Sequence, residues 1–258
     1  MKILITGATS GIGYLSALTL AEYGNFVYLT CHTIEEAKYV KRKLKDNKNI
    51  EVLKLDITDS SDVNKILKLD IDCLISNAAI SYGGSLIEFD INNMRKNFEV
   101  NVFSNFDLIK KFITKMIDNK KCGRVIIISS IAGVIPIPFA SIYSATKASI
   151  STITASLQKE LKLINSKVKV VLVEPGLYHT GFNNLFLDNK YDDGKYFSSI
   201  KNKLYDFEHL FLRVFEKKDL DSIVIKIVRA VLDKNPKCVY RAPISQVVIS
   251  RIYRIFRK

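Results

Sequence analysis

Acidic residues are in short supply. The 258 residues carry 26 Asp and Glu against 39 Lys and Arg, a formal net charge of +13. Cysteine is sparse as well: Cys31, Cys73, Cys122 and Cys238 stand far apart and form no CxxC pair. That spacing argues against a zinc site or a disulfide framework and for reduced, buried thiols. Long apolar runs are missing. No stretch of about 18 uncharged apolar residues occurs, so no membrane-spanning helix is expected. The first motif starts at Thr6, which leaves no room before it for the basic start, apolar region and cleavage site of a signal peptide. These absences together lead to the expectation of a cytoplasmic protein. No compact nucleic-acid-binding motif is present, and the lysines are scattered over many segments. The positive charge therefore reads as a solvated basic surface rather than a nucleic-acid site. Such a surface suits anionic cofactors or substrates, or an anionic membrane.

What is present is an alternation of short β-rich runs with amphipathic stretches. Strands are expected at Ile3–Thr6, Phe26–Thr30, Val52–Leu55, Asp72–Ser76, Arg124–Ser129 and Val168–Val173. Helices are expected at Gly13–Tyr23, Ile34–Leu44, about Met94–Ile117, and Tyr143–Leu163. Strand–helix alternation implies right-handed βαβ units: an α/β fold, a Rossmann-type doubly wound parallel sheet with helices on both faces. No repeat or low-complexity linker divides the chain, so residues 1–258 read as a single domain. Within it, 1–180 carry the strand–helix alternation, 181–216 form an aromatic-rich insert, and 240–258 a basic amphipathic C-terminal helix.

Thr6-Gly7-Ala8-Thr9-Ser10-Gly11-Ile12-Gly13 joins the first strand to the first helix. Glycines there permit a tight turn and close approach of a pyrophosphate, and the helix N-terminus offers free N–H groups. Tyr143 and Lys147 are four apart on an expected helix and so share one face. A free tyrosine titrates near ~10, too high for efficient proton exchange near neutrality, and a neighbouring ammonium lowers it. Ser130 precedes Tyr143 by thirteen residues.

In this set of motifs and their order, the chain resembles the short-chain dehydrogenase/reductase family over about residues 1–185. Thr6–Gly13 matches that family's TGxxxGIG. Ser76-Asn77-Ala78-Ala79 resembles its NNAG motif, with Ser for the first Asn and Ala for the last Gly. The resemblance implies a catalytic set of Asn101, Ser130, Tyr143 and Lys147. In it Tyr143 donates or accepts the proton, Ser130 holds the carbonyl oxygen, Lys147 tunes Tyr143 and binds the nicotinamide ribose, and Asn101 positions a water. It also implies cofactor contacts from Gly7, Thr9, Ser10, Gly11, Ile12 and Gly13. Further contacts are expected from Asp56 and Ile57 at the adenine, from Asn77 and Ala78, and from Pro175, Gly176 and Thr180 at the carboxamide. No metal is implied.

Cys31 stands where relatives preferring NAD carry Asp, and His32 where those preferring NADP often carry Arg. With no carboxylate at the end of the second strand, and with His32 and Thr33 able to bond a phosphate, NADP(H) is expected over NAD(H). The Phe98–Phe103 and Val173–Phe182 segments are similar to the subgroup containing 17β-hydroxysteroid and retinol dehydrogenases, which implies a hydrophobic carbonyl or alcohol substrate. Phe182, Phe186, Tyr191, Tyr196, Phe197 and Phe207 suit an apolar lid, though each alone reads equally as core packing. The segment between Asp59 and Ile71 is shorter than in relatives. From Val247 to Lys258, Val248, Ile252, Ile255 and Phe256 fall on one helix face and Arg251, Arg254 and Lys258 on another. That face would lie weakly on a membrane surface, pack on the domain, or meet a second subunit. Relatives pair through their two long helices, which implies a homodimer or homotetramer. The rival readings are a β-ketoacyl-carrier-protein reductase and a non-catalytic nucleotide-sensing protein on the same fold.

Overall fold

The computed structural model describes residues 1–183 and 195–256. Phe186, Tyr191 and Lys258, named above, lie outside the described residues. Seven strands form one sheet: β1 Lys2–Ile5, β2 Phe26–Cys31, β3 Ile50–Lys54, β4 Cys73–Ser76, β5 Arg124–Ile128, β6 Lys169–Pro175 and β7 Val239–Ala242. Their order is β3-β2-β1-β4-β5-β6-β7, and every pairing is parallel. Chain order reverses between β1 and β4. There the carboxyl ends of the strands open a crevice, the usual ligand position of such a sheet.

The middles of the central strands are near-continuous apolar runs because both faces are covered. Ile3 and Ile5 of β1, Ile126 and Ile128 of β5 and Val171 and Val173 of β6 face one core. Into it pack α1 Gly11–Glu22, α2 Ile34–Lys43 and α8 Asp221–Leu232. Their neighbours Leu4, Val125, Ile127, Val170 and Leu172 face the other core. That side is closed by α3 Ser60–Leu67, α5 Asn105–Asp118 and α6 Ser141–Leu163. Each such aliphatic side chain contributes about 1.5–3 kcal/mol on burial. A one-residue slip would move whole rows between the two cores, so register is held by packing on both faces.

Several expectations need revision. The stretch around Met94–Ile117 is not one continuous α-helix. It runs as α4 Ile91–Phe98, a π-helical turn Glu99–Ser104, and α5. The short segment after Asp59 still holds a helix, α3, whose first turn is capped by the Asp59 carboxylate accepting the Ser61 N–H. The aromatic-rich stretch 181–216, for which no helix was expected, contains α7 Lys201–Phe215. α8, β7 and the C-terminal α9 Ile244–Phe256 complete the sheet and its cover. Of the four thiols, only Cys31 and Cys73 are buried; Cys122 and Cys238 are exposed, and all four are free.

Candidate active site

The glycine turn lies against the carboxyl end of β4. Gly7 and Gly11 have φ of +61° and +60°, which L side chains adopt at a cost. A Cβ on Gly7 would lie 2.8 Å from Ala78 Cα, and one on Gly13 would lie 2.7 Å from Asn77 Nδ2. These contacts exist because Asn77 ties the two loops together. Its amide donates to the Thr6 and Gly7 carbonyls at 3.0 and 2.8 Å. The buried Thr6 hydroxyl accepts the N–H groups of Asn77 and Ala78, both at 2.9 Å. The departures from NNAG therefore leave the loop-to-loop staple intact. Beyond it opens a cleft of about 1690 Å³, large enough for a dinucleotide with a substrate beside it. Gly7, Ser10, Gly11, Ile12, Gly13, His32, Asp56, Ile57, Asn77 and Ala78 line one end; Ser130, Tyr143, Lys147, Pro175, Gly176 and Thr180 line the other. Of the residues expected at the site, Thr9, Thr33 and Asn101 stand behind this lining.

Asn101 sits on the π-helical turn and is fully buried. Its amide oxygen accepts the Ile80 N–H at 2.8 Å, and its amide nitrogen donates to the Ile80 carbonyl at 2.9 Å and to Thr146 Oγ1 at 3.2 Å. The side chain thus clamps the Ile80 loop to α6. Any positioning of a water, as the resemblance implies, would have to be done with this amide already engaged in those bonds.

Ser130 opens a short 3-10 turn, Ile131–Gly133, and accepts the Ala132 N–H at 3.1 Å. A Cβ on Gly133 would lie 2.7 Å from the backbone of Lys147 and Ala148, so glycine lets this turn press onto α6. Tyr143 and Lys147 face the cleft one helical turn apart. Burial pushes the Tyr143 phenol above its ordinary range, and the hydroxyl of Ser130 beside it works the other way. Lys147 Nζ lies 5.6 Å from the Tyr143 ring centroid and donates to the Ile128 carbonyl at 3.1 Å. Burial lowers this ammonium to about 8. Lowering of the phenol by the ammonium, expected above, is not seen: burial raises the phenol, and the group that works against it is the Ser130 hydroxyl.

Behind the catalytic face runs a polar chain that the sequence did not advertise. Ser129 Oγ donates to the Lys147 carbonyl at 2.8 Å and lies 2.9 Å from Ser151 Oγ. Ser151 in turn donates to Glu174 at 2.9 Å, and the buried Glu174 pairs with Arg241 of β7. Gln246, on α9, is a second missed residue. It accepts the Leu177 N–H at 2.7 Å and donates to the Phe215 carbonyl at 2.9 Å. It thereby joins the turn after β6 to the end of α7. Gln246→Ala is expected to cost about 1–3 kcal/mol by leaving the Leu177 donor without its partner. The check is chemical denaturation, together with KM for an apolar substrate, which should rise more than kcat falls. No motif points to either residue, since both act through tertiary contact.

At the end of the cleft lined by the glycine turn, His32 Nε2 lies 3.3 Å from Asp56 Oδ2. Burial raises the Asp56 carboxyl, but bonds from Thr58 and the neighbouring His32 together hold it below its ordinary value. The Glu36 carboxylate accepts the N–H groups of His32 at 2.9 Å and Thr33 at 3.1 Å, and the Thr9 hydroxyl lies 3.4 Å from the same oxygen. The Thr33 hydroxyl accepts the Glu36 N–H in return, which makes a capping box for α2. The expectation that His32 and Thr33 stand ready for a phosphate thus meets an obstacle: their donors already hold a carboxylate. Among the described residues, no cluster of His, Cys, Asp and Glu suits a metal ion. No described helix is long and apolar enough to cross a membrane.

A model of the family described as short chain dehydrogenase matches residues 1–190. A 3-ketodihydrosphingosine reductase of Bacteroides thetaiotaomicron is 30% identical over 249 residues, covering 91% of this chain and 84% of that protein. An NADPH-dependent 3-dehydrocapnine reductase of Ornithobacterium rhinotracheale is 29% identical over 255 residues, covering 92% and 86%. Among solved structures, a short chain dehydrogenase/reductase from Burkholderia phymatum in complex with NAD superposes with a TM-score of 0.84 at 19% identity, covering 98% of this chain and 92% of that one. A short chain dehydrogenase from Burkholderia cenocepacia in complex with NADP gives 0.75 at 21% identity, covering 99% and 93%.

Proposed function

The chain belongs to the short chain dehydrogenase family, and on that premise we propose that it is an NADP(H)-dependent oxidoreductase. It interconverts a carbonyl and an alcohol on a hydrophobic small molecule. The observation that carries this reading is the convergence of Ser130, Tyr143 and Lys147 on one cleft that also receives the glycine turn. A pure nucleotide sensor would have no use for a proton donor there. The glycine cradle and the open end of α1 fit a pyrophosphate. Ser10, Gly11 and Ile12 would hold it, Asp56 and Ile57 would flank the adenine, and Lys147 would reach the nicotinamide ribose. When bound, the dinucleotide supplies or accepts the hydride. Tyr143 then delivers its proton to the substrate oxygen in reduction, while Ser130 donates a hydrogen bond to that oxygen. A phenol raised by burial is protonated near neutrality, and efficient transfer requires that it be brought down toward the working pH when the site is filled. Both relatives above are named as reductases, and we take reduction as the direction.

The substrate end is apolar. Tyr143 lies 5.7 Å, centroid to centroid, from Phe182, while Phe211 and Leu212 of α7 close the cleft from above. We read the substrate as a ketone carried on an apolar chain; one relative is named as the reductase of a 3-keto compound. The test is a panel of ketones, from short soluble to long-chain, followed at the absorbance of reduced nicotinamide. kcat/KM should rise with apolar chain length; a preference for short polar ketones would overturn the reading. Pairing through α5 and α6 into a dimer or tetramer belongs to the same proposal, supported by the exposed Phe103 and Ile153.

The preference for NADP(H) rests on the missing carboxylate at the end of β2, where Cys31 is buried, and on the basic surface. Glu36 opposes it, because a 2′-phosphate must compete for the donors it holds. Glu36→Gln keeps the cap and removes the charge. It is expected to tighten NADPH binding about tenfold, a modest fraction of a screened charge–charge interaction at short range, with NADH changed by less than about threefold. Titration of reduced-nicotinamide fluorescence checks both. Equal changes for the two cofactors would remove Glu36 from the discrimination.

A further inference from the structure

Two helices near the mouth of the cleft turn their apolar sides outward. On α9 two of the buried positions are polar, Gln246 and Ser250 at 8% and 4% exposure, beside the apolar Val247 at 8%. The outward ones are Ile244, Val248 and Ile252, with Ile244 at 76%. Most of the apolar side of this helix thus faces away from the core, unlike the stripe of an ordinary surface helix. On α7, Phe207, Leu210 and Val214 follow helical spacing and are all largely exposed, Phe207 and Val214 at 64% and 65%. The opposite side of α7 carries Glu208 and Leu212 into the cleft lining. The two helices meet where Gln246 bonds the Phe215 carbonyl. Contiguous apolar surface of this kind marks a contact site.

Charge decides what that contact is. Residues 195–256 hold thirteen Lys and Arg against six Asp and Glu. Among them, Lys203 lies on the same side of α7 as the stripe, and Arg251 is exposed beside Val248 and Ile252. A second copy would bring the same excess of positive charge to the interface, whereas an anionic bilayer brings its complement. We propose that the outer faces of α7 and α9 dock this protein on anionic membrane surfaces. In that pose the stripes sit at the level of the headgroups and acyl-chain boundary, as in interfacial amphipathic helices. The mouth of the cleft then lies beside the lipid. The proposal rests on the reading of the cleft as a site for an apolar substrate, and it adds where that substrate enters: from the bilayer, beneath α7, without crossing water.

The experiment uses the full chain and co-sedimentation with phosphatidylcholine vesicles, with and without phosphatidylglycerol. Binding is expected to the anionic vesicles only, and to weaken as salt is raised. Lys203→Gln with Arg251→Gln removes two charges without touching the apolar faces. It should weaken vesicle binding about thirtyfold. Leu210→Glu with Val248→Glu should abolish it, with melting temperature and turnover of a short soluble ketone unchanged. Absence of binding to anionic vesicles, or equal binding by the charge variant, overturns the proposal. So does sedimentation equilibrium in which these substitutions dissociate an oligomer while vesicles are not bound, which would assign the face to a second copy. Loss of ketone reduction in the unsubstituted protein would instead strike the functional reading, so the two failures are distinguishable.

Discussion

Tyr143→Phe is expected to lower kcat by roughly 10²–10⁴-fold, the range for removing a positioned general acid. The dissociation constant for NADPH should stay within about threefold, a difference under ~1 kcal/mol. The argument is one of geometry and protonation. The phenol is buried at the cleft wall beside Ser130, and its burial keeps it protonated at neutral pH. Phenylalanine fills the same space, so packing against Phe182 persists while the transferable proton is gone. The measurement is single-turnover reduction of an apolar ketone beside fluorescence titration of NADPH. A variant with unaltered turnover would remove Tyr143 from the chemistry and leave the cleft as a binding site alone.

Lys147→Met should do two opposite things: suppress turnover and stabilise the fold. The ammonium is buried, donates to the uncharged Ile128 carbonyl, lies over the Tyr143 ring, and is lowered to about 8. The folded value lies below the unfolded one, near ~10.4, so the unfolded chain binds more protons between these limits. Stability conferred by the neutral form is therefore present above the unfolded value and lost as pH falls through about 8. At pH 7 the shift amounts to about 3 kcal/mol against the fold. Methionine fills the volume without the charge, so the variant should melt roughly 6–12 °C higher near neutrality. The advantage should shrink toward pH 10, where the wild-type lysine is itself neutral. Scanning calorimetry at both pH values checks the sign. An equal or lower melting temperature at pH 7 would mean that the charge is compensated in the fold. Dinucleotide affinity in the unsubstituted protein should fall as pH rises through about 8, since the cation lost there is the one proposed to meet the ribose.

Much of the molecule was legible in the chain. Six of the seven strands follow from apolar runs and their breaks, because strands covered on both faces are near-continuous apolar runs. β7 escaped notice because Val239–Ala242 is four residues long and interrupted by Arg241, whose charge is neutralised only by a glutamate on a neighbouring strand. α7 escaped because its apolar residues point outward, so its pattern reads as a lid rather than as a helix with a buried side. The π-helical turn at Glu99–Ser104 leaves no signature in residue type, since its cause is the clamp between Asn101 and Ile80, twenty-one positions apart.

Local rules were enough wherever the chemistry is local: a glycine turn before a helix, a tyrosine and lysine one turn apart, a capped helix start. The choice of donors and charges at each position depended on residues distant in the chain. Glu36 holds the His32 and Thr33 amides, Glu174 reaches the Lys147 carbonyl through two serines, and burial raises the Tyr143 phenol. Burial and pairing are properties of the folded neighbourhood. For that reason residue identity and spacing established which groups serve the site, while only the tertiary structure decided their charge and availability.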